Sequence, residues 1–154
     1  MAYRYDMLEP SDNLDESLEV LGNNLASLYH ESWEADKRPN YNKPFNLNIN
    51  AFAQMWFNKH LRIFMAYNGQ NEPVGFLIGM AFRPLPYEAN VFQIEDWFTR
   101  HDMVVEKGLF DYVEQAIRFI GCDEVWCADK SGRMPPFQRW KEANTFKLRR
   151  YLKG

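Results

Sequence analysis

Residues 91–98 read VFQIEDWF, and after a short charged break residues 108–129 read GLFDYVEQAIRFIGCDEVWCAD. The first run is dense in aromatic and apolar residues that suit a pleated, half-buried surface, and it reads as a strand. In the second, Leu109, Val113, Ala116, Ile117 and Ile120 recur at helical spacing, and Gly121 stands at the C′ position where helices commonly end. The spacing predicts a helix opened by Gly108 and closed by Gly121, then a strand over DEVWCAD, residues 123–129.

Working outward toward the N-terminus, LRIFMAY (61–67) and PVGFLIGMAF (73–82) flank the turn-forming NGQNE and read as an antiparallel hairpin. The proline-broken RPLPYEAN joins this hairpin to residue 91. AYRYDML (2–8) alternates Tyr3, Tyr5 and Met7 before Pro10 ends it, the pattern of an edge strand. Asn13 and Glu16 have capping-box spacing, and Leu14, Leu18, Leu21, Leu25 and Leu28 extend a helix to about Trp33. A loop containing Pro39 and Pro44 follows, then a second helix in which Ile49, Phe52, Ala53, Trp56, Phe57 and His60 share a face, ending near His60. Beyond residue 129, KSGRMPP leads into a short helix over FQRWKEANT and a last strand over FKLRRYLKG. The expected order is β α α β β β α β α β, an α/β (α+β) fold in one domain over residues 1–154, with about six strands in a mixed sheet and about four helices.

A chain of 154 residues that is 46% hydrophobic can bury one sizeable core. No apolar run has the length of a membrane span, and the N-terminus lacks the basic and apolar regions of a leader, so a cytoplasmic protein is expected. Cys122 and Cys127 suit reduced thiols, and His30, His60 and His101 show no metal-ligand spacing. Charge is uneven: residues 1–36 hold nine acids against Arg4, whereas residues 130–154 hold eight basic residues against Glu142. The basic end can attract an anion, and the acidic end a cation, unless the two ends lie together and neutralise one another.

Gly108 follows Lys107 at the expected mouth of a helix, where bare backbone amides and the helix dipole can receive an anion. It reads either as part of a phosphate cradle or as an ordinary helix start. The loop 34–48, with Tyr41 and Phe45 among charges, is a candidate binding loop or a plain connection.

The order of elements over nearly the whole chain, with VFQIEDWF, GLFDYVEQAIRFIGCDEVWCAD and PPFQRWKEANTFKLRRYLKG at motif level, resembles the GNAT acetyltransferase superfamily, and the chain looks most like its small phage-encoded members. That family's cofactor motif is Arg or Gln, two residues, Gly, one residue, then Gly or Ala. With Gly108 as the first glycine, Val105 and Phe110 fill the other two places; with Gly108 as the second, Met103 and Glu106 do. Neither register keeps the motif.

The resemblance implies an acetyl-CoA-dependent N-acetyltransferase acting on a primary amine of a protein or small molecule, with acetyl-CoA as cofactor. Pantetheine would lie along the backbone from Ile94 to Trp97, and the phosphates against Lys107, Gly108 and Leu109. Glu95 is the implied catalytic base, placed on the face opposite Ile94 and Phe98, with Asp96 on their side. A tyrosine that protonates the leaving thiolate is replaced at the corresponding place by Trp140, and Tyr112 and Tyr151 are the substitutes the chain offers. The alternative is a catalytically silent protein of this fold that binds a host protein through aromatics such as Trp33, Tyr41, Phe45, Trp97 and Trp140. Nucleic-acid binding through Arg133, Arg139, Lys147, Arg149, Arg150 and Lys153 is the least favoured reading.

Overall fold

The computed structural model describes residues 2–36, 48–84, 88–100, 103–127, 135–143 and 153. In chain order the elements are β1 (Arg4–Leu8), α1 (Leu14–Leu21), a π turn (Gly22–Ala26), α2 (Ser27–Asp36), α3 (Ile49–Phe57), β2 (Leu61–Tyr67), β3 (Pro73–Phe82), β4 (Val91–Thr99), α4 (Met103–Ile120) and β5 (Glu124–Cys127). The five strands form one sheet in the order β1-β2-β3-β4-β5. The first four are antiparallel to their neighbours, and β5 runs parallel to β4, as a return through a crossover helix requires.

Alternation along the strands sorts side chains between two layers. Ile63, Met65 and Tyr67 of β2 face α1, α2 and α3 with Leu21, Leu25, Leu28, Ala53 and Trp56. Phe64 and Ala66 face α4 with Val105, Leu109, Phe110, Val113 and Ile117. Tyr3, Tyr5 and Met7 pack on the α4 layer, so the expected alternation of β1 holds, and β1 lies at the sheet edge.

The ends of elements are chemically specified. The Asn13 side chain accepts from the amides of Asp15 (2.9 Å) and Glu16 (3.2 Å), capping α1. The amide of Asn13 itself donates to Ser11 Oγ at 3.2 Å, the role a capping-box glutamate would fill. The helix then continues through the π turn, whose Asn24 accepts the Tyr67 hydroxyl at 2.9 Å. Helix α3 stops at Phe57 rather than near His60, because Lys59 takes a left-handed φ of 63°. At the other end of α3, Asn48 caps the amide of Ala51 at 3.2 Å. The β2–β3 turn is held by Asn68, whose side chain accepts from the amides of Gln70 and Glu72, both at 2.9 Å. Gly121 has φ 95° and ends α4 with the paired bonds of a Schellman cap, Cys122 N–H to Ile117 O and Gly121 N–H to Arg118 O, both 3.1 Å.

Two expectations are corrected here. Helix α4 begins at Met103, not at Gly108, since Val105 lies four residues before Leu109 and both are buried, extending the apolar stripe by a turn. Residues 137–143, read as most of a short helix, are irregular. The expected last strand and the Tyr41, Phe45, Arg133 and Tyr151 positions lie outside the described residues. Among the described residues, no helix is long and apolar enough to cross a membrane.

Candidate active site

Strand β4 pairs with β5 from Val91 opposite Glu124 to Ile94 opposite Cys127, the last described residue of that strand, and with β3 as far as Thr99. Just past Ile94, the β3–β4 register skips a residue: Gly79 faces Ile94, Ile78 faces Asp96, and Glu95 is the extra residue of a bulge.

The bulge resets the alternation. Phe92, Ile94 and Trp97 belong to the α4 layer and Phe98 to the opposite one. Ile94 and Phe98 therefore lie on opposite faces, which corrects the sequence-based grouping of those two residues. Asp96 stands opposite Ile78 of the α1–α3 layer and does share the side of Phe98.

The two adjacent acids have different surroundings. Asp96 is 6% exposed and accepts the amide of Trp97 at 2.9 Å, so its charge is held by the strand itself. Glu95 is exposed, yet its carboxyl is pushed above the ordinary value, first by partial burial and then by the Asp96 charge. Of the two, Glu95 is the one that reaches solvent.

Between β4 and α4 lies an aromatic stack. The Trp97 ring meets Phe110 edge-on at 5.6 Å, and Phe110 meets Phe137 at 5.3 Å. The Trp97 indole donates to Glu106 Oε1 at 3.2 Å. Glu106 is 6% exposed and sits in the first turn of α4, where the helix dipole favours a negative charge. Trp97 is thus a core residue and presents no surface anchor.

Of the residues read as phosphate contacts, Lys107 is exposed, Gly108 is the sixth residue of α4 and Leu109 is fully buried. The missing Cβ of Gly108 has a packing cause. A Cβ there would collide with the hydroxyl and ring of Tyr5, which crosses the helix from β1. Tyr112 lies between Tyr5, 6.3 Å away and stacked, and Phe64, 6.2 Å away and edge-on.

The segment 135–143 is tied to α4 by a buried carboxylate. Glu114, 1% exposed, accepts the amides of Gln138 at 2.7 Å and Arg139 at 2.8 Å. Arg139 also reaches Asp111 at 3.3 Å. These bonds fix the course of the backbone there from outside the segment. Glu114 was not singled out in the sequence, and Glu106 only as a place in the cofactor motif, although each interrupts the apolar stripe of α4 and so signals a buried acid. An open groove of ≈ 530 Å³, lined by Glu114, Gln115, Arg118, Cys122, Arg139, Trp140 and Lys141, lies along the C-terminal half of α4.

No family model matches the sequence, and no curated protein matches it either. Solved structures do. An aminoglycoside acetyltransferase from an uncultured soil metagenomic sample, in complex with sisomicin, superposes with a TM-score of 0.64 at 14% identity, covering 96% of this chain and 97% of that one. A predicted acetyltransferase with acetyl-CoA from Clostridium acetobutylicum gives 0.63 at 12% identity, covering 93% and 96%. A GNAT family acetyltransferase from Staphylococcus aureus gives 0.57 at 13% identity, covering 96% and 100%. At such identities the likeness is one of fold, and it extends over the whole length of both chains.

Proposed function

We propose that this chain, which has the fold of the GNAT acetyltransferases, is an N-acetyltransferase that moves an acetyl group from a thioester, acetyl-CoA in the first instance, to a primary amine. The observation that carries the reading is the likeness of fold to solved acetyltransferases over nearly the whole chain, taken with the bulged, exposed Glu95 on the strand between β3 and β5. A pantetheine arm is an extended chain of amides and can pair with strand backbone as an added strand would.

A bound thioester supplies the electrophilic carbonyl. The chain's part is to hold the amine against it and to take a proton. Glu95, whose carboxylate is made more basic by partial burial and by the Asp96 charge, accepts the amine proton directly or through one water. The C–N bond forms, the C–S bond breaks, and the thiolate leaves with a proton from solvent. Orientation supplies much of the rate, since no covalent enzyme intermediate is required.

The test is thiol release from acetyl-CoA in the presence of lysine peptides, polyamines and aminoglycosides. Amine-dependent release that Glu95→Gln lowers by about 100-fold in kcat, with KM little changed, is expected. Absence of release with every amine refutes the reading.

A second reading, a protein that keeps the fold and binds another protein, draws on Phe119, which is 94% exposed on α4. Thermal stability unaltered by thioester, with loss of partner capture in Phe119→Ser, would favour it.

A further inference from the structure

We propose that Glu106 is a positioning residue for the base at Glu95: by holding the Trp97 indole it fixes where along β4 the bulge falls, and so which side chain the strand presents there. The inference rests on the reading of Glu95 as the proton acceptor, and its experiment includes a readout that needs no substrate.

A bulge is one extra residue in a ladder, and its place is set by whatever fixes the pairs on either side. On the N-terminal side of Glu95 the cause is steric. Gly79 faces Ile94, and a Cβ there would collide with the Phe92 ring that lies over it and press on the Gln93 carbonyl. The close approach of Phe92 to β3 therefore needs a glycine at that place, and this register supplies it.

On the C-terminal side the cause is Trp97, which stands opposite Leu77 in the α4 layer. Its amide donates to Asp96 Oδ1 at 2.9 Å, its indole Nε1–H donates to Glu106 Oε1 at 3.2 Å, and its ring meets Phe110 edge-on at 5.6 Å. Trp97 is 5% exposed and Glu106 6%, so the bond between them is shielded from water and counts for more than a surface bond would. Glu106 is itself anchored on the helix. It sits in the first turn of α4, where the dipole favours a carboxylate, beside the buried Val105 and one turn before the buried Leu109.

The competing register shows what this bond decides. If the pairing of Gly79 with Ile94 ran on without a bulge, Ile78 would face Glu95, Leu77 would face Asp96 and Phe76 would face Trp97. Glu95 would then turn toward the apolar α1–α3 layer as an ordinary member of the ladder, and Asp96 toward the apolar α4 layer. Trp97 would lie on the side of the sheet away from α4, and its bond to Glu106 would be broken. The indole–carboxylate bond and the bulge at Glu95 thus stand or fall together.

The experiment measures acetyl transfer and cross-strand nuclear Overhauser contacts in the wild type, Trp97→Phe, Glu106→Ala and Glu106→Gln. Trp97→Phe keeps an apolar ring without the donor, Glu106→Ala removes the acceptor, and Glu106→Gln removes the charge but keeps an acceptor. Wild-type contacts place Ile78 beside Asp96. Trp97→Phe and Glu106→Ala are expected to weaken them in favour of contacts between Ile78 and Glu95. Both should lower kcat about tenfold or more with KM within about twofold of wild type, because the base is displaced while binding persists. Glu106→Gln should restore both the register and kcat. Contacts between Ile78 and Asp96 that are unchanged in Trp97→Phe and in Glu106→Ala overturn the proposal, whether or not any amine is acetylated. A shifted register in Glu106→Gln overturns it as well, since the acceptor is kept there. A register shift that leaves acetyl transfer at the wild-type rate instead refutes Glu95 as the base, the reading on which the inference rests. Should Glu106→Ala fail to fold, Trp97→Phe carries the same test.

Discussion

Gly108 shows how a small residue can be required by packing. Beside Lys107 it resembles the start of a phosphate turn, yet it lies inside α4 against Tyr5. Gly108→Ala is therefore expected to cost about 1–3 kcal/mol by overpacking, despite the helix propensity alanine brings. In a Tyr5→Ala background the same change should stabilise by about 1 kcal/mol, and urea unfolding of the four proteins of this cycle measures the reversal. At Glu95 the raised carboxyl pKa fixes a sign. The folded state there favours the protonated form, so the group adds stability below the ordinary value of 4.5 and loses it as pH rises through the raised value. Glu95→Gln should accordingly raise the thermal midpoint at pH 7 relative to wild type, and the difference should vanish below pH 4.5. A Glu95→Gln protein no more stable than wild type at pH 7 would remove the repulsion by Asp96 from the account.

Among the elements, strands β2 and β3 begin and end where the sequence places them, because each is an apolar run bounded by residues with defined turn chemistry. The start of α4 was misplaced because a glycine outweighed Val105, one turn earlier. The irregular course of 137–143 was hidden for a different reason. Its backbone is held by Glu114, more than twenty residues away, and no local pattern encodes that contact. Likewise the bulge at Glu95 rests on pairing with β3, and only the partner strand reveals which residue is skipped. Removing the carboxylate in Glu114→Ala strands two amides, and a loss of about 3 kcal/mol is expected. Hydrogen exchange should then show the Gln138 and Arg139 amides losing protection while those of α4 keep theirs. Uniform loss along α4 would mean that the segment and the helix unfold together.

At the scale of the molecule, one sheet separates two apolar layers, and both strand sets are shared, so the whole is expected to unfold as a unit. Trp56 reports on one layer and Trp97 on the other. Leu25→Ala and Val113→Ala, each from a fully buried site, should each cost about 2–4 kcal/mol and shift fluorescence and circular dichroism transitions together. Separate transitions would divide the chain into two units. The fold class was legible because periodicity marks nearly every element. The site was legible only in its strand, since its remaining parts depend on buried acids whose partners are distant in sequence.

The sheet order carries a consequence for assembly in time. Strands β2, β3 and β4 follow one another in the chain and can zip up as a meander, whereas β5 must wait for the chain to travel through the whole of α4. The β4–β5 seam thus joins a nucleus already in place, and substitutions there, such as Val125→Ala, should hasten unfolding while leaving the folding rate nearly unchanged. A junction made last is the one most readily reopened, and in this protein it lies beside the strand that carries Glu95.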